Sequence, residues 1–238
     1  MEYITPEGYR VDGRRPTEMR KCEMELGFEK SADGSARVRM GNTLVEAVVS
    51  GPMEGKRRNH DSAELKVFFS QATFATRRRR ERMFDRNMAE TSELLKQMYE
   101  QVVLVKQLPE TSIEIRVQVL QDDGSVNAAA INACTLALID AGIPMSDIVS
   151  SAEGGYISGR MVVDMGKDEE NAGTVFNVHT AVMHNSGTVA ILQTEGKMPL
   201  KRLGELLSVV EEGAKEAGIQ MKEKIMEYGN KVMQYQNI

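Results

Sequence analysis

The chain has 238 residues, 41% of them hydrophobic and 27% charged, which allows a full core in one large domain or two small ones. No apolar run approaches the roughly 20 residues of a membrane helix, and the amino terminus carries no signal-peptide pattern, so the composition argues against a membrane partner and for cytosol or nucleus. The formal net charge of −5 conceals a division: residues 56–86 carry ten basic and four acidic side chains, a balance of +6, which leaves −11 for the remainder.

In chain order, alternation of apolar and polar residues predicts strands over residues 37–40, 44–49, 65–74 and 113–120. Ile113, Ile115, Val117 and Val119 fall on one face of the last of these, opposite Glu114, Arg116 and Gln118. Helical spacing predicts a helix over residues 88–105 through Leu95, Met98 and Val102, and another over 126–141 stopped by Gly142 and Pro144. Strands follow over 160–165, 174–183 and 188–193, with a turn at Asn185-Ser186-Gly187, and from Pro199 the pattern is helical. Strands followed by helix, twice, predict an α+β fold of two halves, residues 1–145 and 146–238, joined near 143–150.

Nine of these ten basic residues fall in two predicted loops. Lys56, Arg57 and Arg58 stand between two strands, and Arg77, Arg78, Arg79, Arg80, Arg82 and Arg86 stand between a strand and a helix. Exposed charges farther apart than about 8 Å are largely screened from one another, so this segment acts by its own local potential rather than by the acidic total. Arginines free in such loops suit a phosphate backbone, and in an antiparallel sheet the two loops are expected on one edge. Phe84 is the one aromatic within the run, so binding is expected to be backbone-directed, with little base stacking. The competing reading is a solvated basic loop or an import signal. Cys22 and Cys134 lie far apart without metal spacing and are read as reduced, buried thiols. His60, His179 and His184 share no ligand spacing and are read as surface or satisfied polar residues. The sixteen methionines are read as core or interface filler. No cofactor and no metal site is expected.

Several motifs occur in one order: Gly8-Tyr9-Arg10-Val11-Asp12-Gly13-Arg14-Arg15-Pro16, Ala32-Asp33-Gly34-Ser35-Ala36, Met40-Gly41-Asn42-Thr43 and Ser50-Gly51-Pro52. They are followed by Gln121-Asp122-Asp123-Gly124-Ser125-Val126-Asn127, Asp140-Ala141-Gly142-Ile143-Pro144-Met145, and the stretch from Glu169-Glu170-Asn171 to Asn177. Together they resemble the phosphorolytic exoribonucleases of the RNase PH family over nearly the whole chain, and within it the ring subunits of the eukaryotic RNA exosome. The resemblance implies a pseudo-duplicated β-α fold of the ribosomal protein S5 domain 2-like type. It implies a hetero-hexameric ring of RNase PH-like subunits with cap subunits and an associated nuclease. Single-stranded RNA would pass a pore bordered by the two basic loops, in the nucleus, nucleolus and cytoplasm, for rRNA processing and mRNA decay.

The resemblance also assigns the chemistry. Phosphorolysis needs an arginine fork to hold phosphate, carboxylates to hold a divalent cation, and a proton for the leaving 3′-oxygen. The family's phosphate-gripping arginine matches Asn127, and its two aspartates, six residues apart, match Asn171 and Asn177. Asn87 stands where many relatives carry a second arginine. Amides at these positions lead to the expectation that the chain is not an enzyme. The alternative is an active phosphate-dependent 3′–5′ exoribonuclease.

Overall fold

The computed structural model describes residues 3–5, 7–55, 61–81, 85–157, 159–171 and 176–236. The first sheet contains β1 (Cys22–Leu26), β2 (Gly34–Met40), β3 (Thr43–Glu54), β4 (Glu64–Gln71) and β5 (Thr111–Gln121), in the order β1-β2-β3-β5-β4. β4 joins parallel to β5, while the other neighbours pair antiparallel. Alternation decides what each strand buries: Val45, Ala47 and Val49 of β3 and Ile113, Ile115, Val117 and Val119 of β5 all turn inward. The expected strand over 65–74 ends sooner, because Ala72 donates to the carbonyl of Val119 and Ala75 then donates back to Ala72, turning the chain. β4 lies beyond β5, so β3 and β4 are not neighbours, and the simple antiparallel arrangement expected for the two basic loops does not hold.

Helix α1 (Arg86–Val102) starts at Asp85, whose carboxylate accepts from the backbone N–H of Arg86. It packs on β4 and turns Tyr99 toward helix α2 (Val126–Asp140), where the phenol donates to the Ile131 carbonyl at 2.8 Å. α2 is buried from Ala128 to Leu138 on every side, as an alanine-rich helix without a polar face must be. Gly34 lets it approach the first sheet, since a Cβ there would run into the α2 backbone at Ala137 and Ala141. Its far side meets the second sheet, made of β6 (Val149–Ile157), β7 (Arg160–Val163), β8 (Phe176–Met183) and β9 (Val189–Glu195), in the order β7-β6-β8-β9. Asn132 of α2 acts as a piece of backbone here, donating to the Ser151 carbonyl at 3.1 Å and accepting from its N–H at 2.8 Å.

A short helix α3 (Lys167–Glu170) follows β7, and one long helix α4 (Leu200–Gln236) covers the outer face of the second sheet. Ala152, Val178 and Val182 turn toward α4 and pack with Leu206, Val210 and Ala214. The odd-numbered neighbours, Glu153, Asn177 and His179, therefore face α2. The layers run sheet, helices α1 and α2, sheet, helix α4. No helix among the described residues is long and apolar enough to cross a membrane.

Candidate functional site

The site forms where the loop entering α2 meets the turn between β7 and α3. Gly124 takes φ 92° and Ser125 takes φ 52°, and a Cβ on Gly124 would press on the backbone of Met165, Gly166 and Lys167. The two segments are bound together by Lys167 N–H to the Asp123 carbonyl at 3.1 Å and by Ser125 N–H to Glu170 Oε1 at 2.8 Å. The ammonium of Lys167 lies 2.9 Å from Glu170 and 3.4 Å from Asp122, and Asp122 also accepts from Gln71 at 2.9 Å. Burial works to lower the Lys167 pKa, but the charges of Glu170 and Asp122 outweigh it and hold the ammonium above its ordinary value.

An amino-terminal clasp fixes this junction from behind. Arg20 binds both oxygens of Asp164 at 2.6 and 2.9 Å and donates to the carbonyls of Asp123 at 2.9 Å and Gly124 at 3.0 Å. Arg10 is buried against Glu169 and donates to the carbonyls of Val163 at 2.7 Å and Asp164 at 2.8 Å. The two motif stretches that the sequence separates by some forty residues thus lie side by side.

A cleft of about 600 Å³ opens at this junction, lined by residues that include Arg80, Asn87, Asp122, Asn127, Glu153, Lys167, Glu170, Gln193 and Glu195. A recess of about 120 Å³ leads off it between Asn127, Glu153, Glu170, Asn177, His179, Gln193 and Glu195. Strand register explains the recess wall: Glu153 stands opposite His179, which stands opposite Gln193, and Asn177 stands opposite Glu195. Burial first, and then the charges of Glu170 and Asp164, push the Glu153 carboxyl up to about 8. Burial pushes His179 down to about 4.

Asn127 and Asn177 meet in the recess, whereas the Asn171 amide turns back to donate to the Lys167 carbonyl at 2.8 Å, closing the end of α3. His179 is buried and its Nδ1 has no partner among the described residues, as is true of His184 Nδ1, so the reading of these two as surface or satisfied residues is corrected. His60, Lys56, Arg57, Arg58, Arg82 and Phe84 lie outside the described residues. Arg77 is exposed but holds Asp168 through two bonds of 2.8 and 2.9 Å, and Arg86 holds Glu90 at 2.9 Å. Arg78 and Arg79 are exposed, and Arg80 is half-buried on the cleft wall. Phe74, 69% exposed at the root of this segment, is an aromatic that the sequence reading passed over. Glu153 and Lys167 were also missed, and His179 was read as a surface or satisfied residue; the pairing register that gathers Glu153 and His179 is not visible in local spacing.

Among the described residues no group of three or more His, Cys, Asp or Glu side chains is placed to hold a metal ion.

The fold and this junction define an RNase PH-like α+β chain, and comparison with known proteins agrees. Residues 18–144 match the model of the 3′ exoribonuclease family, domain 1, and the chain belongs to that family, the RNase PH family. It is 38% identical over 231 residues to the exosome complex component RRP41 homolog of Arabidopsis thaliana, covering 95% of each chain. It is 34% identical to the exosome complex component Rrp41 of the archaeon Thermococcus gammatolerans, covering 98% of this chain and 95% of that one. The crystal structure of rice Rrp46 superposes with a TM-score of 0.83 at 26% identity, covering 91% of this chain and 100% of the other.

These findings correct the expectation that the chain is not an enzyme. Its relatives, archaeal ones among them, are components drawn from a family of 3′ exoribonucleases, and membership of that family does not exclude catalysis. The physical reason is that the amides Asn127 and Asn177 are not the whole lining: Arg80, Glu153, Lys167 and Glu170 share the cleft with Asn127.

Proposed function

We propose that this chain is a core-ring subunit of an exosome-type complex that leads single-stranded RNA to 3′–5′ degradation. The observation that carries the reading is that Arg80 lines the same cleft as Asn127, while Arg78 and Arg79 stand exposed beside it. The relatives' names, exosome complex components, support the assembly. In this reading the neighbours are other RNase PH-like subunits in a hetero-hexameric ring, with cap subunits and an associated nuclease. Lys56, Arg57, Arg58, Arg77, Arg78, Arg79, Arg80, Arg82 and Arg86 contact the RNA backbone. The complex serves rRNA processing and mRNA decay in nucleus, nucleolus and cytoplasm. The halves 1–145 and 146–238 are then the two copies of the family's duplication.

A second reading is phosphate-dependent cleavage at this chain's own cleft. It is favoured by the convergence of Arg80 and Lys167, both cationic, with the Glu153 carboxyl, which holds its proton near neutral pH. The test measures nucleoside diphosphate released from 3′-labelled RNA with Mg²⁺ and phosphate, using the chain alone and in its ring. Release by the isolated chain establishes the second reading. RNA binding that falls on charge reversal at Arg78, Arg79 and Arg80 supports the first, and binding that survives the reversal counts against it.

A further inference from the structure

The recess has a hydrogen-bonding character that backbone-directed RNA binding does not use. Ser151 Oγ donates to the Thr180 carbonyl at 2.9 Å, and His179 Nε2 lies 2.9 Å from Ser151 Oγ. With the Ser151 proton directed at Thr180, the tautomer that satisfies Ser151 Oγ carries its hydrogen on Nε2 and leaves a bare lone pair on Nδ1. Among the described residues Nδ1 has no partner, and neither does Asn177 Oδ1; both are buried atoms in residues that line the recess. A buried acceptor without a donor carries a desolvation cost, which a bound donor offsets. Glu153 stands directly across from His179 on the neighbouring strand.

We propose that the recess reads the 3′-terminal base of RNA lying in the cleft and selects cytosine or adenine. On the Watson–Crick edge both bases present an amino group next to an unprotonated ring nitrogen, whereas the guanine amino group there adjoins a protonated one. The amino group donates its N–H bonds to His179 Nδ1 and Asn177 Oδ1, and the ring nitrogen accepts the O–H of Glu153. Uracil places a carbonyl oxygen where the amino group would be, opposite two acceptors, and is rejected. The volume of about 120 Å³ admits the edge of a base while the sugar and phosphate stay in the cleft. The proposal rests on the RNA-binding reading above.

The proton on Glu153 is set by its surroundings. Burial, Glu170 of α3 and Asp164 after β7 favour the neutral acid, whereas Lys167 of α3 and Arg20 oppose it, leaving the value at about 8. Glu195 of β9 and the neutral His179 of β8 complete the ring of titratable groups around the recess. The selection is therefore present at neutral pH and fades as pH rises through about 8.

The test uses the full chain and short fluorescent single-stranded RNAs that differ only in the last residue: cytidine, adenosine, uridine, or a purine riboside lacking the amino group. Anisotropy is read well below and well above the Glu153 value. C- and A-ended RNAs are expected to bind roughly tenfold tighter than the other two, as a good bidentate base contact allows. Glu153→Leu and His179→Leu should each remove the preference. Glu153→Gln, whose amide offers both N–H and C=O, should keep the preference and abolish its decline at high pH. That variant preserves shape, so it tests the idea even if a leucine variant fails to fold. Equal binding of all four ends, or a preference that survives both leucine substitutions, overturns base reading while leaving RNA binding intact. No binding of any RNA overturns the RNA-binding reading and this proposal with it.

Discussion

Replacing Asp164 with asparagine removes one charge from the centre of the amino-terminal clasp and leaves its shape unchanged. Asp164 sits at φ 52°, a conformation that asparagine adopts as readily as aspartate, so no backbone strain is added. Its side chain is 0% exposed and that of Arg20 is 9% exposed, so water does not replace the lost partner. Breaking a buried ion pair from one side costs about 3–5 kcal/mol. Arg20 keeps the carbonyls of Asp123 and Gly124, which places the loss at the lower end, about 3 kcal/mol. For a chain of this length that is a fall in Tm of about 6–12 °C, at about 2–4 °C per kcal/mol. Denaturant and thermal unfolding followed by circular dichroism measure it.

The pH dependence supplies a second check on the same variant. Burial acts to raise the Asp164 pKa, but the hydrogen bonds and charge of Arg20 outweigh it and hold the carboxyl below its usual range. A carboxylate with a lowered folded value contributes stability that is fully present above the unfolded value and is lost as pH falls through the folded one. The gap between parent and variant should then be constant down to about pH 4 and close below it. A loss under about 1 kcal/mol near neutral pH, the level of an exposed pair, would refute the reasoning. So would a gap that does not narrow in acid.

Three further outcomes are expected. Asn132→Ala strands the N–H and C=O of buried Ser151 and should cost about 2–4 kcal/mol, measured by denaturant unfolding; a neutral result would show that α2 is not tied to β6 through this amide. Asp168→Asn releases Arg77 from its exposed pair and should tighten RNA binding while steepening its salt dependence by up to about 0.7 in log–log slope. An anisotropy titration over salt concentration reads both, and unchanged binding would remove Arg77 from the RNA surface. Phe74→Ala should weaken binding of base-containing RNA by about 1–3 kcal/mol if the exposed ring stacks on a base, while leaving an abasic strand unaffected. Equal loss for both strands would return Phe74 to a purely structural role.

What was legible in the sequence followed from one-sided burial. β5 could be read because Ile113 to Val119 alternate, and α2 because an alanine-rich run ends at Gly142. β6 could not, since it is buried on nearly every residue and carries Gly154-Gly155, so neither alternation nor an apolar run marks it. β1 is too short, at five residues, to announce itself. Asn127 and Asn177 were found through motif spacing and do share the recess, whereas Asn171 was assigned by the same spacing and lies elsewhere. Glu153 and His179 escaped because their meeting depends on strand register between β6 and β8. The pairing of Arg77 with Asp168 spans ninety-one positions and has no local signature.

The burial of α2 has a consequence for how the chain folds. Its eleven buried residues are shared between two sheets, so neither sheet can shed its water from an apolar face until the other closes over the same helix. Val149, Ala181 and Ile191 of the second sheet already belong to the cluster built around the first. A chain cut between the sheets leaves α2 half-wet, and an intact one should unfold in a single cooperative transition. The cleft lies on that same seam. Local opening between the sheets and loss of the site are thus one event, and the lifetime of the site is set by the stability of the whole molecule.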